Sequence, residues 1–144
     1  MADRVESTRR DFLRIACGAA VVALGPSLLV GEAAAADGIK RKRNGQVTVR
    51  VAMVPGLSRV GGMVLLGTVK GIPVAVVRTG RRRYRALDLR CTHQGTTVRP
   101  SRGEWLCPNH GSRFNLDGAL AEGPAKRALS SVRSSLRRGI LTVG

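Results

Sequence analysis

In the C-terminal two-thirds of the chain, apolar residues recur at alternate positions or in short β-branched runs. Val47, Val49 and Val51 alternate with polar residues. The alternation continues at Met53 or Val54. A period of two is typical of a strand with one buried face. Further runs of this kind lie at 73–78, 84–89, 104–106, 112–115, 129–133 and 140–143.

Turn-forming residues separate these runs. Thr79-Gly80-Arg81 predicts a hairpin, and Asp117-Gly118 predicts a tight turn. Arg138-Gly139 predicts a closing hairpin that joins the runs at 129–133 and 140–143. Beyond the first third of the chain, no stretch has the periodicity of a long amphipathic helix. The pattern therefore predicts a small, all-β, antiparallel domain.

The first 36 residues have a different layout, in which a basic region precedes an apolar run and small residues. Arg9-Arg10 is followed by Phe12-Leu13, and residues 15–31 are uncharged. This order is typical of an export signal, and the arginine pair with Phe-Leu resembles a twin-arginine (Tat) signal. The segment predicts an N-terminal hydrophobic helix. The alternative is a tail that leads into a short buried helix.

Two fates of this segment are open. Ala34-Ala35-Ala36 satisfies a small-x-small cleavage rule, whereas the 17-residue run 15–31 is near the lower limit for a membrane span. We favour retention as an anchor. Residues 37–45 are polar and basic and predict a linker. The predicted organisation is therefore 1–36 signal or anchor, 37–45 basic linker and 46–144 folded domain.

The formal net charge is +16, and all of the excess lies beyond residue 36, where 21 basic residues face five acidic ones. Such a charge serves solubility, or attracts anionic lipid, an acidic protein or nucleic acid. The basic residues are scattered, and the chain has only one Trp, one Tyr and two Phe. Because the chain lacks the clustered basic and aromatic residues of a nucleic-acid-binding surface, we expect no nucleic-acid partner.

The candidate chemistry lies in two short segments, each with one Cys and one His. They are Cys91-Thr92-His93-Gln94-Gly95 and Cys107-Pro108-Asn109-His110-Gly111-Ser112-Arg113-Phe114. Two thiolates and two imidazoles fit a tetrahedral structural zinc site. They also fit a two-iron cluster in which two His replace two Cys on one iron.

The local context of these residues closely resembles the paired signature of Rieske proteins, Cys-Thr-His-x-Gly and Cys-Pro-x-His-Gly-Ser. The resemblance extends over residues 57–143. It implies one [2Fe-2S] cluster, with Cys91 and Cys107 on one iron and His93 and His110 on the other. It also implies a small antiparallel sandwich with a cluster-binding two-loop subdomain.

The resemblance also assigns roles to the residues around the four ligands. These residues are Gln94, Gly95, Pro108, Gly111, Ser112 and Phe114. The glycines let backbone N–H groups approach the inorganic sulfides, and Pro108 stiffens its loop. The Ser112 hydroxyl is expected to bond to a cluster sulfur. Polar Gln94 follows the first His, which indicates an open cap over the cluster.

Three positions depart from the respiratory members of the family. Thr96 and Asn109 match two cysteines that form a disulfide there, so the bridge is expected to be absent. Phe114 matches a Tyr whose hydroxyl bonds to a cluster sulfur. We expect a reduction potential below that of the Ser-and-Tyr respiratory proteins and above that of oxygenase ferredoxins.

Three functions fit these features. The leading one is an exported one-electron carrier of the quinol–cytochrome c reductase type, on the extracytoplasmic (periplasmic) side of the cytoplasmic membrane. Its expected partners are quinol and a cytochrome. The alternatives are the small Rieske subunit of a larger exported oxidoreductase, as in arsenite oxidase, and a stand-alone Rieske ferredoxin. The sequence contains no recognisable nucleophile–base pair, phosphate loop or mononuclear iron motif, and we assign no catalytic residue.

Overall fold

The computed structural model describes residues 38–144, in which twelve β-strands and two short 3-10 helices form the regular structure. The strands are β1 Ile39–Arg41, β2 Val47–Arg50, β3 Met63–Val69, β4 Ile72–Gly80, β5 Arg83–Asp88, β6 Arg99–Ser101, β7 Glu104–Leu106, β8 Arg113–Asn115, β9 Leu120–Glu122, β10 Ser131–Val132, β11 Ser134–Arg137 and β12 Ile140–Val143. The 3-10 helices are Val51–Met53 and Pro55–Leu57. The all-β prediction is confirmed for this range. The predicted N-terminal helix and export signal lie outside the described residues. In the range 38–144, none of the helices has the length and apolar character that a membrane crossing requires.

The strands form three antiparallel sheets of four strands each. The first sheet has the order β1-β2-β12-β11, the second β10-β5-β4-β3 and the third β6-β7-β8-β9. Every strand pairing is antiparallel, as predicted.

The second sheet lies between the other two. On β4, Val74 and Val76 join a core with the first sheet, whereas Ala75 and Val77 join a core with the third. Successive side chains point to opposite faces of a strand, so β4 is buried on both faces. This is why its sequence is a continuous apolar run rather than an alternating one.

The alternation at Val47 and Val49 predicted a strand that continues beyond residue 50, and this extension is wrong. β2 ends at Arg50, where its partner β12 begins at Ile140. Gly139 accepts one further bond from Val51, and the chain then enters the 3-10 helices. Strand β2 stops because its neighbour turns away at the Arg138-Gly139 hairpin.

Residues 39–41, within the stretch whose polarity indicates a linker, form β1 and pair with β2. The Arg41 guanidinium donates to the carbonyls of Leu66 and Thr68. These carbonyls flank Gly67, where the β3 register shifts and φ is +68°. Arg41 thus ties the first sheet to a bulge in the second.

The closing hairpin is confirmed at Arg138-Gly139, but its first strand is β11 rather than the predicted run at 129–133. Within that run, Ser131 and Val132 pair instead with β5 in the second sheet. Positive φ values of 48° at Arg138 and 76° at Gly139 are those of a type I′ turn, which matches the twist of a two-residue hairpin.

Candidate metal centre

Two loops at the third sheet carry the four candidate ligands, and each is closed by the same two backbone hydrogen bonds. In the first loop, residues 91–96, Cys91 N donates to Thr96 O at 2.8 Å and Gly95 N donates to Cys91 O at 2.7 Å. In the second loop, residues 107–112, Cys107 N donates to Ser112 O at 2.8 Å and Gly111 N to Cys107 O at 3.0 Å. The loops are therefore near copies of one another in backbone bonding.

Both glycines of this pattern have left-handed backbone conformations. The φ angle is +78° at Gly95 and +74° at Gly111. L-residues with a Cβ rarely adopt this region, so the conformation favours glycine at the fifth position of each loop.

The two thiols are buried. Cys91 is 3% exposed and Cys107 is 1% exposed, and both pack in the core between the second and third sheets. Burial raises the pKa of the Cys107 thiol, but the backbone N–H groups of His110 and Asn109 and the Cys91 thiol outweigh it and lower that pKa. The loop thus favours the thiolate, which is the form that binds metal.

The two imidazoles are exposed and face each other. His93 Nδ1 and His110 Nδ1 lie 3.3 Å apart, and the rings meet edge to face with centroids 4.7 Å apart. Two nitrogens bound at about 2.1 Å to one tetrahedral metal would lie roughly 3.4 Å apart. The imidazole pair is therefore spaced to bind a single metal ion through Nδ1.

The four side chains thus form a buried thiol pair and an exposed imidazole pair. In the described range 38–144, no three Cys, His, Asp or Glu side chains meet as a single-ion site. A two-iron cluster with mixed ligands takes one thiolate pair and one imidazole pair. The donor set and its division into pairs fit such a cluster.

A third loop, residues 123–129, braces both ligand loops and was not recognised from the sequence. Ala125 N donates to Ser112 Oγ at 3.0 Å, and Thr92 Oγ1 donates to Arg127 O at 2.6 Å. The Gly123-Pro124 dipeptide is the sequence signal of a fixed turn that could have drawn attention to this loop.

The predicted surrounding residues lie on two sides of the centre. Ser112 and Phe114 are fully buried. Because the Ser112 oxygen accepts a bond from Ala125, its own O–H remains a donor for another partner. Gln94 and Pro108 are exposed, which agrees with an open cap.

The positions predicted to lack a disulfide are in direct contact. Asn109 Nδ2 donates to Thr96 Oγ1 at 3.0 Å, and both residues belong to the ligand loops. At the positions where no disulfide was expected, a neutral hydrogen bond therefore joins the two ligand loops.

An ion pair flanks the first loop. Asp88, at the end of β5, binds the Arg90 guanidinium at 2.6 Å and accepts a bond from Arg90 N at 2.9 Å. The hydrogen bond and the charge of Asp88 raise the pKa of Arg90 above its ordinary value. The pair fixes the backbone immediately before Cys91.

An all-β domain whose paired loops present buried thiols and exposed imidazoles has the fold and site of a small iron–sulfur electron-transfer protein. The family model of the Rieske [2Fe-2S] domain matches residues 49–133. The chain belongs to this family, and its domain binds one [2Fe-2S] cluster.

Individual relatives extend this comparison. The carotenoid phi-ring synthase of Chlorobaculum tepidum is 49% identical over 61 residues, which cover 41% of this chain and 9% of that protein. The cytochrome b6-f complex iron-sulfur subunit 2 of Synechocystis is 31% identical over 80 residues, covering 53% of this chain and 44% of that protein. The chain thus spans less than half the length of these curated relatives.

Among solved structures, the plasma membrane Rieske protein PetC3 from Synechocystis superposes with a TM-score of 0.50 at 30% identity. The superposition covers 58% of this chain and 86% of that one. The quaternary ammonium Rieske monooxygenase CntA shares the fold at a TM-score of 0.52 and 19% identity, covering 61% of this chain and 28% of that one.

Proposed function

We propose that Cys91 and Cys107 bind one iron of the cluster and that His93 and His110 bind the other. The observation that carries this assignment is the division of the four side chains into a buried pair and an exposed pair with Nδ1 atoms 3.3 Å apart. When bound, the cluster supplies one-electron transfer. The chain holds the thiolates away from water and presents the imidazoles at the surface.

The exposed imidazoles make this end of the domain the contact for electron exchange. The Nδ1 atoms of the two exposed rings face each other, so the opposite edge of each ring is available to a partner. The edge of an imidazole ring can both contact a partner and accept a proton. This suits a quinol donor, which gives up a proton with its electron. We therefore propose a carrier of the quinol–cytochrome c reductase type, with a cytochrome as acceptor. The similarity to cytochrome b6-f iron-sulfur subunits supports this proposal.

We also propose that the chain is exported by a Tat signal and acts at the extracytoplasmic face of the cytoplasmic membrane. Arg9-Arg10 and the uncharged run 15–31 support the signal, and the run can serve as an anchor if it is retained. The similarity to a plasma membrane Rieske protein supports the location.

One alternative has its own support. Thr96 and Asn109 replace the disulfide of the respiratory members and join through a hydrogen bond. Phe114 replaces their Tyr and is fully buried. These departures favour the small Rieske subunit of a larger exported oxidoreductase as the second candidate.

Purification of the native full chain from membranes distinguishes the candidates. The quinol–cytochrome reductase proposal expects a co-purifying cytochrome b and reduction of the cluster by a short-chain quinol. A co-purifying large subunit that contains molybdenum would instead establish the alternative. A lone protein that quinol does not reduce would contradict both.

Phe114 offers a separate test of the surroundings of the cluster. Phe114→Tyr places a hydroxyl where the resemblance puts a donor to sulfur. Such a bond stabilises the electron-rich reduced state, so we expect the potential to rise by roughly 60 mV, the one-electron equivalent of about 1.4 kcal/mol. Protein-film voltammetry measures this shift, and a fall in potential would contradict the assigned position.

A further inference from the structure

Charge is distributed unevenly over the three sheets. The four acidic residues of the described range all lie between residues 88 and 122; they are Asp88, Glu104, Asp117 and Glu122. Residues 38–87 and 123–144 contain basic residues and no acidic ones. The first sheet is built entirely from these two ranges. It is therefore strongly cationic.

The outer face of the first sheet carries a regular arrangement of polar side chains. Val47, Val49, Leu141 and Val143 fill the core beneath it. The alternate positions therefore point outward, away from the second sheet. Two rows of outward-facing residues cross the strands. The first row runs Lys40, Thr48, Thr142 and Ser135, and the second runs Arg50, Ile140 and Arg137.

This face contains a shallow groove of about 450 Å³. Thr48 and Thr142 contribute to its lining; the Thr48 hydroxyl donates to Lys40 O at 3.3 Å. Its cationic lining residues are Lys40, Lys42, Arg50, Arg137 and Arg138. Hydroxyls and cationic donors around one concave surface are the groups that bind phosphate oxygens.

No cation of the groove forms a salt bridge within residues 38–144, and Arg50 donates only a long bond to Met53 Sδ at 3.9 Å. The three salt bridges of residues 38–144 involve Arg90, just after β5, or Arg113, on β8, and none of them involves a residue of the first sheet. By contrast, Arg41 on the same strand as Lys40 is used internally, because it binds the carbonyls of the β3 bulge. Even when Asp37 is included, residues 37–50 hold five basic residues against one acid.

We propose that this groove docks the first sheet onto the phosphate headgroups of anionic phospholipids. Gly38, the first residue of the described range, lines the groove, and the uncharged run 15–31 ends seven positions before it in the sequence. An anionic bilayer surface attracts such a cluster of basic side chains. Ile140, which lines the groove and is 37% exposed, adds an apolar contact for the interface.

Docking in this orientation leaves the metal centre accessible. The first and third sheets pack on opposite faces of the second sheet. The first ligand loop connects β5 to β6 and the second connects β7 to β8. Both cysteines pack in the core between the second and third sheets, so a membrane at the first sheet would leave the loops free to meet a partner. The inference rests on the proposed membrane location and is independent of quinol oxidation.

Vesicle binding by the cluster-loaded full chain tests the proposal. Binding is measured to neutral phosphatidylcholine vesicles and to vesicles that also contain phosphatidylglycerol. The groove variant Lys40→Gln/Arg50→Gln/Arg137→Gln is compared with a control, Arg59→Gln/Arg82→Gln/Arg99→Gln, which removes the same charge from exposed positions elsewhere. The four Arg and four acids before Asp37 balance, so the N-terminal segment contributes little to the difference between the two vesicle types.

We expect the groove variant to lose roughly 100-fold in the preference for anionic vesicles, because each basic side chain at the surface contributes to binding. The control should lose less than about threefold, since distant charges are screened. An equal loss of this preference in both variants would overturn the proposal, because overall charge rather than the groove would then determine binding. An unchanged preference in the groove variant would overturn it as well.

A third arm distinguishes lipid from a soluble anion. Inorganic phosphate is titrated while amide chemical shifts of Thr48 and Thr142 are followed. Saturation at micromolar phosphate without any preference for anionic vesicles would overturn lipid docking and define a soluble-anion site. Visible absorption of the cluster is measured in every sample, so that failure of the lipid proposal is separated from failure of the metal centre.

Discussion

The two ligand loops share a backbone pattern and differ in their side chains. In both, the Cys N–H donates to the carbonyl of the residue five positions on, and the glycine N–H donates to the Cys carbonyl. His93 follows Cys91 by two residues, whereas His110 follows Cys107 by three. Equivalent backbones therefore bury both thiols, and the one-residue offset brings both Nδ1 atoms toward one point.

The loops also differ in how the loop at 123–129 supports them. The first loop is held by Thr92, a partly exposed hydroxyl that donates to a carbonyl. The second is held by Ser112, a fully buried hydroxyl that accepts a backbone N–H. A lost hydrogen bond costs more when it leaves a buried group unsatisfied, so the second loop should be the more sensitive of the two.

The largest expected effect is loss of the cluster on removal of a ligand. Cys91→Ser and Cys107→Ser should both abolish the visible absorption, because each removes one member of the thiol pair. Iron and sulfide analysis measures the loss. Gln94→Ala, which alters an exposed neighbour, serves as the control and should keep the cluster. A Cys variant with a full cluster would break the assigned pairing.

Loss of either brace from the loop at 123–129, at Ser112 or at Thr92, should have a smaller effect. Ser112→Ala leaves the buried Ala125 N–H without its acceptor, so we expect a loss of about 1–3 kcal/mol in unfolding free energy. Thr92→Val removes a bond at a partly exposed position and should cost under about 1.5 kcal/mol. Denaturant titration of the cluster-loaded chain gives both values. The reverse order would show that the third loop supports the first loop more strongly.

The glycine pair tests whether the two backbones are equivalent. A Cβ at Gly95 or Gly111 would meet no protein heavy atom within 4 Å, so among the protein contacts only backbone strain at positive φ opposes the substitution. Gly95→Ala and Gly111→Ala should therefore each cost about 1–2 kcal/mol, by similar amounts. Denaturant titration of the cluster-loaded chain measures both losses in unfolding free energy. A difference well beyond experimental error would mean that one loop is held by constraints that the other lacks.

The smallest effect is expected between the loops. Asn109→Ala removes the donor to Thr96 at an exposed position, which should cost about 0.5–1.5 kcal/mol and quicken cluster loss. Thr96→Val removes the acceptor of the same bond and should lower the unfolding free energy by a similar amount. The double variant should cost no more than either single change, and full additivity would contradict a direct interaction.

Much of the domain was predictable from local sequence. The β-branched runs at β4 and β5 and the turn at Arg138-Gly139 follow from strand periodicity and turn chemistry. The Cys and His spacing directed attention to the two ligand loops. Gln94 is exposed and Phe114 is buried, and their roles toward the cluster stay predictions.

The remainder depends on contacts between distant segments. Strand β3 was not predicted, because its apolar run is interrupted by the bulge at Gly67 and does not alternate. The end of β2 is set by a partner strand some ninety positions away. The loop at 123–129 has no metal ligand of its own, and its role is visible only through its bonds to Thr92 and Ser112.

The central claim is that the two imidazoles bind one iron and the two thiolates the other. Pulsed electron paramagnetic resonance of the reduced, purified full chain tests it directly, since nitrogen nuclei bound to iron couple to the unpaired electron. The account predicts couplings from two directly bound imidazole nitrogens, both of which change from the nitrogen-14 to the nitrogen-15 pattern when only the histidines are labelled with nitrogen-15. A colourless zinc-loaded protein, or a reduced cluster with one bound imidazole nitrogen or none, would contradict it.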